Sequence, residues 1–172
     1  MAIVPGDVTV NPDQTTTDLE IGSCHLAIPI LAAAMDAVVS PSFAVKMHQA
    51  GGLGVMNLEG LQTRYDDPEE RLGLISEAPK EEATAILQKL YSAPIRDELV
   101  GKRIQEMKSA GATCAVSVTP QSAKRMAPAA VEAGADIIVV QSTVTTARHI
   151  SKSYHGLVFS DLLDMINVPV MV

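Results

Sequence analysis

Residues able to do chemistry are few in this chain. The most suggestive lie between Pro29 and Gly60, in PILAAAMDAVVSPSFAVKMHQAGGLGVMNLEG. An apolar run there ends in Ala33-Ala34-Met35-Asp36. A second run, opened by Gly51-Gly52-Leu53-Gly54, ends at Asn57. A later run, Ala135 to Val140, ends in Gln141-Ser142-Thr143. Each run is short enough for a buried strand, so each of these groups stands where a strand hands over to a loop. Parallel α/β folds bind ligands at that end of their strands.

Other chemistries find less support. Cys24 precedes the first apolar run and Cys114 opens a predicted buried strand, so both read as small core residues rather than nucleophiles. His25, His48, His149 and His155 show no metal-binding spacing. Glu69-Glu70 and Glu81-Glu82 fall in helix first turns, where they complement the helix dipole. Gly51-Gly52 reads as a helix stop before a tight turn into the next strand. No helix follows Gly54 directly, which argues against a phosphate cradle. By position alone Met35 reads as core, Asp36 as a loop-capping carboxylate, and Gln141, Ser142 and Thr143 as a helix cap or a ligand contact.

The elements that position these groups follow from pattern. The chain has 172 residues, enough for one domain over 1–172 with a sizeable core. Residues 1–26 are polar and turn-rich and read as a lead-in arm. Strands are predicted over 27–35, 53–57, 115–118, 135–140 and 167–172. Ser40-Pro41 starts a helix whose Phe43, Ala44, Met47 and His48 share one face and whose C′ residue is Gly51. Further helices are predicted from Asp66-Asp67-Pro68, from Pro79 until Pro94 stops it, over 97–109, from Thr119 to about Glu132, and from Gln141 through about Ser153. A last short one is capped by Ser160-Asp161. Apolar strands alternating with amphipathic helices make βαβ units and a parallel sheet covered on both faces. An open five-stranded sheet would satisfy this. A (β/α)8 TIM barrel cut after four to five βα units fits better, because the last strand is otherwise an unpaired apolar edge.

Charge and composition bound the function. A net charge of −7 disfavours nucleic acid and anionic membrane surfaces. No apolar run reaches the roughly 20 residues a bilayer span needs. Met1-Ala2-Ile3-Val4-Pro5 lacks a basic leader, and two distant cysteines suit a reducing compartment, so a cytoplasmic protein is expected.

PILAAAMDAVVSP followed by GGLGVMNLEGLQTRYDDP resembles the N-terminal half of the IMP dehydrogenase/GMP reductase family, in its branch without the CBS regulatory module. The two blocks, sixteen residues apart from Met35 to Gly51, occur in the family's order. AGADIIVVQSTVTTARHI and INVPVMV continue the likeness. Residues 60–113 are too few, and too helical in pattern, for a CBS insertion. The resemblance implies an oxidoreductase of purine nucleotide metabolism that oxidises IMP to XMP with NAD. GMP reductase with NADPH, or a barrel-derived assembly protein without redox chemistry, are the alternatives. It implies a tetrameric parent and a catalytic cysteine later than Val172. It implies nucleotide contacts at Ala33, Met35 and Asn57, and loop-forming roles for Asp36, Gly51, Gly52 and Gly54. It implies cofactor contacts (NAD or NADP) at Gln141, Ser142 and Thr143. Gln141 departs from the family's Asp-Ser-Ser pattern, and an amide accepts fewer ribose hydrogen bonds than a carboxylate.

Overall fold

A computed structural model describes Gly6, residues 8–142 and residues 156–172. Five parallel strands form its main sheet: β3 (Leu31–Ala32), β4 (Leu53–Asn57), β5 (Ala115–Val118), β6 (Ile137–Val140) and β7 (Val170–Met171). β1 (Leu19–Ile21) and β2 (Cys24–Leu26) form a separate antiparallel hairpin. Helix α1 (Pro41–Gln49) joins β3 to β4. Helices α2 (Pro68–Ser76), α3 (Lys80–Tyr91) and α4 (Asp97–Ser109) lie between β4 and β5. Helix α5 (Pro120–Glu132) joins β5 to β6, and α6 (Phe159–Met165) precedes β7.

Strand order in the sheet follows chain order without reversal. A doubly wound sheet turns back on itself at a switch point. This one adds each strand beside its predecessor, as the wall of a (β/α)8 barrel does. The fold is therefore an α/β half-barrel.

The two faces of the sheet divide by strand parity. Met56, Val116, Val118, Ile138 and Val140 point outward and are buried with Val100, Ile104, Met107, Ala123, Ala127 and Leu162 of the helices. Leu53, Val55, Ala115 and Ile137 point inward and pack with Cys24 and Leu26 of the hairpin. The hairpin thus closes the end of the half-barrel where the strands begin. Its turn reaches the start of β7, with Gly22 set against Pro169.

Glycines set the α1–β4 junction. Gly51 ends α1 with φ +89°, a backbone that only glycine adopts cheaply. A side chain on Gly54 would lie 2.7 Å from the Ala44 Cα, so α1 rests directly on β4.

Several predicted elements differ in detail. Within the lead-in arm, residues 19–26 form the hairpin, whose two three-residue strands are too short to show alternation in sequence. The strand predicted over 27–35 is ladder-bonded only at Leu31–Ala32. Proline 29 has no N–H to donate, and Ile28 instead bonds the Gly51 carbonyl. The strands predicted over 135–140 and 167–172 shorten to Ile137–Val140 and Val170–Met171. On α1 only Ala44 of the predicted face is fully buried, and Phe43 is exposed. Helix α6 starts at Phe159 after Val158, so Ser160 and Asp161 occupy its first turn rather than its cap. Asp161 there pairs with Lys124 of α5 at 2.8 Å. The helix predicted from Gln141 to about Ser153 lies mostly outside the described residues, as do Thr143, His149 and His155.

Candidate active site

Sheet register assembles the site. Asn57 of β4 stands beside Ser117 of β5, and Ser117 beside Val139 of β6. All three share the inward parity of Val55, Ala115 and Ile137. The inner face is thus apolar where the strands begin and becomes polar where they end. A cavity of about 430 Å³ opens there, lined by Ala34, Asn57, Glu59, Ser117, Val118, Thr119, Gln141 and Ser142. That volume lies within the range of small-molecule sites.

Asp36 ties the loops around this cavity together. Its side chain is buried, 8% exposed. It accepts hydrogen bonds from the Leu61 backbone N–H at 2.6 Å, from Asn57 Nδ2 at 3.4 Å and from the Tyr91 hydroxyl. It therefore joins the loop after β3, the loop after β4 and the end of α3. Gly60 is part of the same fit, because a Cβ there would fall on the Asp36 carboxylate. Burial, and then the bond to the Asp36 carboxylate, push the Tyr91 hydroxyl's pKa well above the usual tyrosine range.

The loop after β4 has further supports. The Arg64 guanidinium donates to the Glu59 carbonyl at 3.0 and 3.2 Å and lies over the Tyr91 ring. Arg103, buried on α4, donates to the carbonyls of Gln62, Tyr65 and Asp66 at 2.9 to 3.1 Å. Asn57 Oδ1 accepts the Glu59 N–H at 2.9 Å. The Glu59 carboxylate then reaches across to α5. It accepts from the Thr119 N–H at 2.6 Å, from Thr119 Oγ1 at 3.2 Å and from the Ser122 hydroxyl.

The structure brings Asn57, Gln141 and Ser142 into one cavity. Ala33 and Met35 flank Ala34 at its edge without lining it. Met35 is 53% exposed, so it does not serve as core. Thr143 lies outside the described residues. Sequence reasoning missed Glu59, Ser117 and Thr119. Strand parity offered a signal for Ser117, which is two residues after inward Ala115, whereas Glu59 and Thr119 lie past the strand ends.

Neither cysteine lines the cavity. Burial pushes the Cys114 thiol up to about 12, with the Asp136 carboxylate adding to it. Burial also raises the Cys24 thiol. A thiol held protonated is a poor nucleophile. Among the described residues no group of three or more His, Cys, Asp and Glu is placed to hold a metal ion. None of the described helices is long and apolar enough to cross a membrane.

The cavity offers hydroxyls from Ser117, Thr119 and Ser142, amides from Asn57 and Gln141, and one carboxylate. This donor and acceptor set suits a ligand's hydroxyls and carboxamides. Comparison with known proteins decides the family. The profile of the IMP dehydrogenase / GMP reductase domain matches residues 1–157. The chain belongs to the IMP dehydrogenase/GMP reductase family. It is 35% identical to an uncharacterized oxidoreductase of Mycolicibacterium smegmatis, over 99% of this chain and 47% of that protein. It is 29% identical to the inosine-5'-monophosphate dehydrogenase of Methanocaldococcus jannaschii, over 62% of this chain and 20% of that protein. A crystal structure of an IMP dehydrogenase/GMP reductase-like protein from Corynebacterium glutamicum superimposes with a TM-score of 0.85 at 32% identity. The match covers 98% of this chain and 45% of that one. The chain thus spans about half the length of these Mycolicibacterium and Corynebacterium relatives.

Proposed function

We propose that this chain forms the nucleotide- and cofactor-facing wall of an oxidoreductase that oxidises IMP to XMP with NAD. The observation that carries the reading is the cavity at the strand ends, in which Asn57, Glu59, Ser117, Gln141 and Ser142 converge. Family membership supplies the reaction class. Met35, exposed at the rim beside Ala34, is available to pack on a purine ring, and Asn57 to bond its edge or ribose.

The nicotinamide end of NAD fits the cavity's chemistry. Ribose hydroxyls and a carboxamide match the hydroxyls of Ser117, Thr119 and Ser142 and the amide of Gln141. When bound, the nicotinamide supplies the hydride acceptor. The chain's own part is to bind and orient: Asp36 holds the two loops in register, and Asn57 and Glu59 face the ligand from β4. The described lining contains no thiol. The chain by itself is therefore expected to bind IMP and to show no turnover.

Gln141 favours a second reading. An amide in place of the Asp of the Asp-Ser-Ser pattern accepts fewer ribose hydrogen bonds, which suits a barrel that has lost redox chemistry. Calorimetric titration of the chain with IMP, and nicotinamide absorbance with IMP plus NAD in the protein that contains it, test both. Binding with turnover in the parent supports the dehydrogenase. Binding without turnover supports the second reading, and no IMP binding refutes both. The unpaired edges of β3 and β7 in the described sheet favour association with further strands, in keeping with an oligomeric protein.

A further inference from the structure

Among the described residues lining the cavity, Glu59 carries the sole formal charge. Its position is unusual for a ligand-facing group, because it also seals the start of α5. A helix N-terminus presents unpaired N–H groups and a partial positive charge, and so attracts anions. Here that place is taken. Glu59 accepts the Thr119 N–H and the hydroxyls of Thr119 and Ser122, and Pro120 has no N–H to offer. A phosphate arriving at this wall meets a carboxylate, not a row of donors.

A carboxylate has about four lone-pair sites. Three are used within the protein, which leaves about one, and the full negative charge, directed to the cavity. The rest of the described lining is neutral: amides, hydroxyls, Ala34 and Val118. Such a site prefers a cationic or neutral hydroxylated group to an anionic one.

We propose that Glu59 is a specificity-determining residue that selects the oxidised, cationic pyridinium over the neutral dihydropyridine and keeps phosphate out of this end of the site. The inference rests on the reading that this cavity receives the nicotinamide riboside end of the cofactor. It goes further in giving the site a preferred redox form, the one that a dehydrogenase consumes. A unit charge in a half-buried site is worth on the order of ten-fold in affinity, so the preference is expected at that size.

The test uses the 172-residue chain, titrated with nicotinamide riboside, its reduced form and IMP while the backbone amides of Thr119, Gln141 and Ser142 are followed by NMR. The variants are Glu59→Gln and Glu59→Asp. Gln keeps an oxygen for the Thr119 N–H and removes the charge. Asp keeps the charge. The expected result is that the oxidised riboside shifts these amides and binds roughly ten-fold more tightly than the reduced form. That ratio should fall to near one in E59Q and be largely restored in E59D. Circular dichroism melts show whether each variant is folded. Equal preference in wild type and folded E59Q overturns the inference while leaving the cavity as the cofactor site. IMP shifting the Thr119 amide in wild type through its phosphate also overturns it. If the riboside shifts none of these amides in any form, the underlying reading of the cavity is overturned as well.

Discussion

Replacing Asp36 tests how the site is held together. Asp36→Ala leaves three donors without their acceptor. The Leu61 N–H matters most, because Leu61 is fully buried and water cannot replace the lost bond. An orphaned buried donor costs about 1–3 kcal/mol. Tyr91 is half-buried and its hydroxyl can partly rehydrate, adding under about 1 kcal/mol. The Asn57 contact, at 3.4 Å, is long and adds little. The sum is about 1–4 kcal/mol. Asp36→Asn with its oxygen at the Oδ2 position keeps an acceptor for both the Leu61 N–H and the Tyr91 hydroxyl, and turns its NH2 toward the long Asn57 contact. It should cost about 1 kcal/mol, mainly through lost charge assistance. The chain has no Trp, so urea unfolding followed by far-UV circular dichroism is the suitable assay. An Asp36→Ala cost below about 1 kcal/mol, or an Asn variant as damaged as Ala, would refute the claim that Asp36 is the acceptor on which the two loops depend.

Met35→Ala should change stability by less than about 0.5 kcal/mol, because the side chain is exposed, yet weaken IMP binding in calorimetry. A loss of several kcal/mol would show that Met35 packs as core after all. Gly54→Ala should cost about 1–3 kcal/mol in a urea melt, since its Cβ meets the α1 backbone, which cannot move without lifting the helix. Stability should decline between pH 9 and about 12 by up to about 1.4 kcal/mol per pH unit. The folded state keeps the Cys114 thiol protonated up to about 12, whereas the unfolded chain ionises near 9. The stabilisation is therefore complete below pH 9 and fades as pH rises. In Cys114→Ala this decline should be shallower from pH 9 to 10, before the tyrosines ionise, and an unchanged slope there would rule the thiol out as its source. Proposed turnover of IMP with NAD in the parent protein remains the direct check on function.

Periodicity and punctuation made most of the fold legible. Ser40-Pro41 and Gly51 bound α1, and 97–109 and 115–118 were readable to the residue because apolar pattern and breakers agree there. The β1–β2 hairpin was not legible. Three-residue strands carry too few alternations, and what orders them is packing of Cys24 and Leu26 against Leu53, Ala115 and Ile137. Gln141, Ser142 and Asn57, which line the cavity, stood out as strand-end polar groups. Glu59 did not, because nothing local distinguishes it from any other loop glutamate.

The sequence by itself determined that this is a parallel α/β chain, which residues close its strands, and which family it resembles. These follow from local patterns, read over a few residues at a time. The tertiary structure decided that Asp36 is shared by two loops and α3, and that Glu59 caps a helix some 60 residues further on. It also decided that the cavity carries a carboxylate on its β4 side while Gln141 lines it from β6. Those facts depend on strand register. Register brings Asn57 beside Ser117 across nearly 60 residues of intervening helix, and only the folded sheet supplies that distance information.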